Sequence, residues 1–126
     1  MRVQIAEILD TQSKIVAFDG PAGSGWAYWH GSTEPQAGAY DVELEVPDVV
    51  SSWTLTTGPD LIAGEYSRRE VTLRGSVQSV GEDDVVALRI DRDIVLVEVG
   101  GDITEASIGD SVEFTTSSLL LYPYAM

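Results

Sequence analysis

The segment Asp41-Val42-Glu43-Leu44-Glu45-Val46 decides the fold class of this chain. Its apolar side chains, at positions 42, 44 and 46, alternate with carboxylates at positions 41, 43 and 45. Successive side chains of a β-strand point to opposite faces, so the pattern predicts a half-buried strand with one apolar and one acidic face. A sheet built from such strands covers a core on one side and meets solvent on the other.

The same two-residue period recurs along the chain, and no stretch sustains a helical period. Strands are predicted at Arg2 to Leu9, Lys14 to Phe18, Trp26 to His30, Asp41 to Val46, Ser52 to Thr56, Glu70 to Val80, Val85 to Ile90, Ile94 to Val99, Ser111 to Thr116 and Leu119 to Tyr122. Short helical pieces are expected only near Asp60 to Ser67 and Ile103 to Ser107, which is too little helix to cover a parallel sheet. The prediction is therefore an all-β, antiparallel fold of nine to ten short strands that form a barrel or a sandwich.

A weak internal match appears when the chain is aligned with itself at a shift of 70 positions. Ile15-Val16-Ala17-Phe18 then falls on Val85-Val86-Ala87-Leu88, and Val42-Glu43-Leu44 falls on Val112-Glu113-Phe114. This match indicates either a duplication, with half-units 1–65 and 66–126 of one compact domain spanning 1–126, or chance, because amphipathic strands of similar spacing align apolar on apolar. The second half, from about Glu70 to Tyr124, resembles a five-stranded OB-like barrel in the order of its elements alone.

Charge and composition exclude several classes of function. The chain has 126 residues, with 7 basic and 21 acidic side chains and a net charge of -14. Nucleic-acid binding is not expected, because such binding depends on many cations at phosphates. The absence of cysteine removes disulfides, thiolate metal sites and cysteine nucleophiles. With neither a signal-peptide pattern at Met1 to Asp10 nor an apolar run of membrane-spanning length, a cytoplasmic location without membrane contact is expected.

No motif predicts catalysis, and the chain is expected not to be an enzyme. Its single histidine, His30, has no positioned nucleophile beside it in sequence, and no Gly-x-Ser-x-Gly motif is present. The glycine-rich stretch Gly20 to Gly25 lacks the Lys-Ser/Thr ending of a phosphate-binding loop. Acidic clusters lack the spacing of a calcium loop. No catalytic residue, metal site or cofactor is therefore predicted.

Two groups of side chains are candidates for binding. Asp41, Glu43 and Glu45 form an acidic strand face that would steer the chain onto a basic protein. This predicts a non-catalytic protein-binding domain, such as an immunity or inhibitor protein that neutralises a nuclease toxin.

Aromatic side chains support a second hypothesis. Trp26, Tyr28 and Trp53 are candidate contact residues, either as an anchor for a protein partner or as an aromatic platform in a small-ligand or oligosaccharide-binding barrel. The competing interpretation is that at least two of the three tryptophans, Trp26, Trp29 and Trp53, belong to the core. A structural subunit that assembles through an unpaired edge strand or its apolar end, Leu119 to Tyr124, is a third hypothesis. The sequence predicts no oligomeric state.

Overall fold

The computed structural model describes residues 1–101 and 103–124, and within them the protein is an all-β structure, as the alternating pattern predicts. Eleven strands and one short 3₁₀ helix, Tyr66–Arg68, account for the regular structure of these residues. The strands are β1 Arg2–Asp10, β2 Ile15–Gly20, β3 Gly23–Trp29, β4 Gly38–Glu45, β5 Thr54–Thr56, β6 Leu61–Ala63, β7 Val71–Val80, β8 Val85–Ile90, β9 Asp93–Glu98, β10 Ser111–Thr116 and β11 Leu120–Pro123.

A closed barrel is formed by five of these strands in the order β1-β2-β3-β11-β4. Its pairings are antiparallel except for β11, which runs parallel to β3 while it pairs antiparallel with β4. In β4 the side chains of Val42 and Leu44 are buried and those of Glu43 and Glu45 are exposed. The alternation in the sequence thus correctly gives the inward and outward faces of this strand.

The second sheet repeats this order with other strands. It runs β5-β10-β7-β8-β9, with β6 paired to β7 beside it. Just before β5, Val50 forms a parallel bridge with Val99 at the end of β9. The segment from Val50 through β5 therefore lies between β9 and β10, as β11 lies between β3 and β4.

The barrel is called the first unit, and the second sheet the second unit. Matching registers show that the two units are a structural repeat. The hairpin β2–β3 pairs Ile15 with Tyr28, and the hairpin β8–β9 pairs Val85 with Glu98, a shift of 70 on both strands. The residues that enter these hairpins, Lys14 and Asp84, both adopt a left-handed conformation. A bulge follows residue 5 in β1 and residue 77 in β7, a shift of 72. The match at 70 positions thus gives the register of the two hairpins, whereas β4 and β10 are related by a shift of 72, since Asp41 pairs with Arg2 and Glu113 pairs with Arg74.

The stretch from Glu70 to Tyr124 contains five strands, β7 to β11, in the predicted order, but they do not form one barrel by themselves. β11 leaves the second unit and closes the first, while β5 follows β4 in sequence and completes the second. The two units have exchanged their last strands. The cause is the connection after β4, which carries the chain across to the other sheet instead of back along its own, and the order of elements in a sequence does not contain that information.

The strand β6 was not among the predicted strands, and it joins the two units. It pairs with β7, and the backbone N–H groups of Ile62 and Gly64 donate to the carbonyls of Ala22 (3.0 Å) and Ser24 (3.1 Å) beside β3. The helical piece expected at 60–67 is thus a strand followed by the 3₁₀ helix, and 103–107 contains no helix. A single turn has too few hydrogen bonds to form without strong packing.

Candidate functional site

All three tryptophans are buried, so none of them offers a ring face to solvent. Trp26 is 2% exposed and its indole N–H donates to the carbonyl of Glu70 (3.1 Å). Trp53 is 8% exposed and donates to the carbonyl of Thr104 (2.6 Å). Tyr28 is half-buried and packs edge-on against Trp26, with 6.0 Å between ring centroids. The contact role considered for Trp26 and Trp53 has no exposed surface on which to act, since both residues belong to the hydrophobic core.

The three acidic residues of β4 do not share one environment. Arg2 Nη1 lies 3.2 Å from the carboxylate of Asp41 in the middle of β4, so the charge of Asp41 is partly neutralised. Glu43 and Glu45 lie on the exposed face with no cation within ion-pair distance among the described residues. Two of the three carboxylates are therefore free to meet an incoming positive charge.

Glu43 and Glu45 line a groove between the barrel and the second sheet. The groove has a volume of about 530 Å³, and its opposite wall is the outward face of the hairpin β8–β9. This wall contributes Val85, Ile94, Leu96 and Glu98, while Tyr122 of β11 lies on the barrel side. The exchange of strands builds this groove, because it brings β4 and β11 of one unit beside β9 of the other.

The wall formed by β9 carries an exposed apolar pair. Ile94 and Leu96 point outward from β9 and are 45% and 61% exposed, while Val95 and Val97 between and beyond them point into the core. Such adjacent exposed apolar side chains, rimmed by polar groups, are typical of interaction sites.

The charge around this apolar pair is mainly negative. Glu43, Glu45 and Glu98 line the groove around it, and Arg89 pairs across the strands with Ile94. Carboxylates that line one concave surface add their potentials and attract a cation there. The groove can therefore bind a basic side chain and an apolar one together.

The pKa of Tyr122 reflects the negative charge on the barrel side of the groove. A hydrogen bond from its hydroxyl to Glu45 raises the pKa of the Tyr122 phenol, with partial desolvation and the negative charge of Glu45 as further causes in the same direction. In the strand register Tyr122 lies directly opposite Glu43. The ring of His30 packs against it with 5.1 Å between centroids, which places the single histidine at the surface and beside the groove.

Comparison of this chain with known proteins did not identify relatives. No family model, curated protein or solved structure matches it. Within residues 1–101 and 103–124, no group of three or more histidine, cysteine, aspartate or glutamate side chains is arranged to hold a metal ion. The same residues contain no helix that is long and apolar enough to cross a membrane. The groove is therefore the feature from which we infer function.

A second hollow, of about 670 Å³, lies on the side of the 3₁₀ helix. Its lining mixes the cations Arg68 and Arg69 with the carboxylates of Asp48, Glu70 and Glu113. Arg69 stacks on the ring of Tyr66 (4.0 Å to the centroid) and Arg68 lies 4.0 Å from Glu65. Because opposite charges are already close together, this hollow selects neither a basic nor an acidic ligand.

Three residues central to the groove, Ile94, Leu96 and Glu98, were not singled out from the sequence as binding residues. A signal for the first two is present in the stretch 94–97, Ile-Val-Leu-Val, which is apolar on both faces. Strands with two apolar faces are normally covered on both sides. In a chain with so little predicted helix, the second face requires either another sheet or a partner.

Proposed function

We propose that this protein is a non-catalytic binding protein that captures a basic protein partner in the groove between β4 and β9. The supporting observation is the pair Ile94 and Leu96, exposed on β9 between the carboxylates of Glu43, Glu45 and Glu98. Apolar contact supplies affinity, and the surrounding negative charge selects a partner with lysine or arginine at the rim of its contact surface.

The net charge of -14 adds long-range attraction to this local selection. A strongly acidic protein accelerates its association with a basic one, and salt weakens the effect. An inhibitor or immunity protein that covers the basic active face of a nuclease toxin in the cytoplasm is the function we infer from this combination. No residue of the groove is assigned a catalytic role.

The two other hypotheses receive less support from the positions of the residues. An oligosaccharide platform requires exposed aromatic rings, whereas Trp26 and Trp53 are buried. Assembly through the apolar end of the chain would use Leu119 and Leu121, which are fully buried inside the barrel. Exposed Tyr124 and the groove remain for self-association, which the experiment below detects.

The test is affinity capture from a nuclease-treated lysate of the source organism, at low and at moderate salt, with three forms of the protein. The groove variant carries Glu43→Gln, Glu45→Gln and Glu98→Gln. A matched control carries Glu7→Gln, Glu34→Gln and Glu105→Gln, which remove the same number of charges at exposed sites outside the groove.

We expect one basic protein to be retained in stoichiometric amount by the wild type and the control, and to be lost from the groove variant. Loss of several close charge pairs weakens such a complex tenfold for every ~1.4 kcal/mol. Equal loss from both variants would show that net charge and not the groove governs binding, and retention by all three forms would show that the groove carboxylates do not contribute. Capture of further copies of this chain alone would replace the proposal with self-assembly.

A further inference from the structure

One edge of β9 has no ladder partner over most of its length in the second unit, although β4 of the barrel lies beside it. The strand pairs with β8 along its whole length, but on its other side the only pairing within the described residues is the single bridge between Val50 and Val99. An unpaired strand edge presents a row of backbone donors and acceptors that can pair with another chain. This edge borders the groove, since Ile94 and Leu96 line both.

The backbone groups of Ile94 and Leu96 point towards this open edge. The carbonyl of Glu98 accepts a hydrogen bond from Val50 N–H on that side (2.8 Å). Backbone groups of alternate residues in a strand point to the same edge, so those of Leu96 and Ile94 point there as well. Among residues 1–101 and 103–124, no backbone hydrogen bond from a neighbouring segment reaches them on that side.

The first unit shows what covers the equivalent edge. Trp26 of β3 corresponds to Leu96 of β9, because each lies opposite an alanine, Ala17 or Ala87, in the equivalent register. Over Trp26 the chain places β6 and the 3₁₀ helix, with the ring of Tyr66 at 5.1 Å between centroids.

The backbone of this covering segment is bound to the edge of β3. Gly64 N–H donates to Ser24, the residue that corresponds to Ile94, and Ile62 N–H donates two residues earlier to Ala22. The covering segment runs parallel to β3, since both donors and both acceptors advance by two residues. No described segment covers Leu96 in this way.

We propose that the partner of this protein docks by laying an extended segment along the open edge of β9, parallel to it, with backbone hydrogen bonds to Ile94 and Leu96. This inference rests on the proposed function and specifies its mode of binding. One side chain of the added segment packs on Leu96, as Tyr66 packs on Trp26, and basic side chains next to it face Glu43 and Glu45. Strand addition of this kind combines affinity from the backbone with specificity from alternate side chains.

An ion pair lies next to the start of the open edge. The amino group of Met1 donates to the carboxylate of Asp93 (2.9 Å) at the start of β9. The acceptor that corresponds to Ala22 is the carbonyl of Arg92, which precedes this ion pair in sequence. The carbonyl of Ile94 corresponds to the carbonyl of Ser24, which accepts from Gly64 N–H in the first unit. Among the described residues, no backbone hydrogen bond from a neighbouring segment reaches it.

A synthetic peptide with the sequence of residues 61–69 is a suitable probe, because the same sequence covers the equivalent edge in the first unit and carries Tyr66, Arg68 and Arg69. The full-length protein is titrated with the peptide and followed by the amide signals and the hydrogen exchange of each residue. A second peptide, N-methylated at the amide that corresponds to Gly64, has the same side chains but lacks the critical donor.

We expect binding with a dissociation constant in about the millimolar range, slower exchange at the amides of Ile94 and Leu96, and unchanged signals at Ser24 and Trp26 in the already covered unit. N-methylation is expected to weaken binding about tenfold. The variant Leu96→Ala should weaken it too, whereas Leu55→Ala, at another exposed leucine, in β5, should not.

Equal affinity of the two peptides, or no protection at Ile94 and Leu96, would overturn strand addition. That failure is distinct from failure of the proposed function. A basic partner that is lost from the Glu43, Glu45 and Glu98 variant but leaves β9 exchange unchanged would bind the groove by side chains alone. Protection of β9 by the peptide together with capture that is indifferent to those glutamates would leave strand addition intact and remove the acidic selection.

Discussion

Leu96 stands in the second unit where Trp26 stands in the first, and the two side chains have opposite exposures: 61% for Leu96 and 2% for Trp26. Both lie outside the inner layer of their sheet. The difference comes from the segment between β6 and β7, which covers one of them. A repeated architecture has thus left one copy of the same surface covered and the other open.

Truncation of these two equivalent residues is expected to have very different effects on stability. Trp26→Ala removes a buried ring and its hydrogen bond to Glu70, and should lower the free energy of unfolding by about 3–5 kcal/mol. Leu96→Ala removes mostly exposed surface and should cost less than about 1 kcal/mol. Urea denaturation followed by circular dichroism measures both. Similar losses would mean that Leu96 is covered in solution.

Two glycines have similar φ angles but different surroundings, so replacing each by alanine separates a steric clash from backbone strain. Gly23 has φ +136° and a Cβ there would lie 2.2 Å from the carbonyl oxygen of Ile62, whereas Gly38 has φ +142° and open space around it. Gly38→Ala should show only the backbone strain, about 1–3 kcal/mol. Gly23→Ala should cost at least about 1 kcal/mol more and should accelerate amide exchange at Ile62 and Gly64, because β6 must move. An equal cost for both would count against the observed position of β6.

A repeated ion pair gives a third prediction. Arg74 donates to Glu113 through Nε (2.8 Å) and Nη2 (2.5 Å) in a half-buried setting, while the equivalent pair, Arg2 and Asp41, is mostly exposed. Glu113→Gln is therefore expected to lower the free energy of unfolding by about 1–2 kcal/mol. Asp41→Asn should lower it by no more than about 0.5 kcal/mol. Thermal and urea denaturation at two salt concentrations compare them, and the reverse ranking would contradict the assignment of burial.

Tyr122 provides a test at high pH. Because Glu45 raises the pKa of the Tyr122 phenol, the folded protein holds this proton more tightly than the unfolded chain does. The resulting stabilisation is complete below the ordinary tyrosine pKa of about 10 and is lost as the pH rises through the folded value. Titration of phenolate absorbance should show one late-ionising tyrosine in the wild type.

Two variants identify this tyrosine. Tyr122→Phe should remove the late-ionising group, and Glu45→Gln should bring its pKa back towards the usual value, because the charged acceptor is gone. A titration curve that is the same in wild type and Glu45→Gln would disprove the interaction between the two side chains.

Local features of the fold were predictable because they depend on neighbouring residues. The alternation from Asp41 to Val46 gives both faces of β4, and the segments at 85–90 and 111–116 match their strands at both ends. The alignment at 70 positions matches the register of the two hairpins, although β1 and β7, like β4 and β10, are related by a shift of 72. Periodicity carries this information without any knowledge of distant contacts.

The candidate site was predictable only in part, because it depends on contacts between distant segments. Glu43 and Glu45 follow from the pattern of their own strand. The exposure of Leu96 does not, since it is decided by whether another segment lies over β9. The burial of Trp26 could not be predicted for the same reason. The segment that carries Tyr66 covers it, and the residues near Trp26 in sequence do not indicate this contact.

The exchange of the last strands has a consequence for the order of folding during synthesis. Tyr28 and Glu45 both pair with Leu120, so the barrel made mostly of early residues closes only after β11 has left the ribosome. The second unit, whose extra strand β5 precedes it, has all its parts earlier. Pairing over about ninety residues is slow. During that interval β3 and β4 expose unpaired edges, which can pair with neighbouring chains.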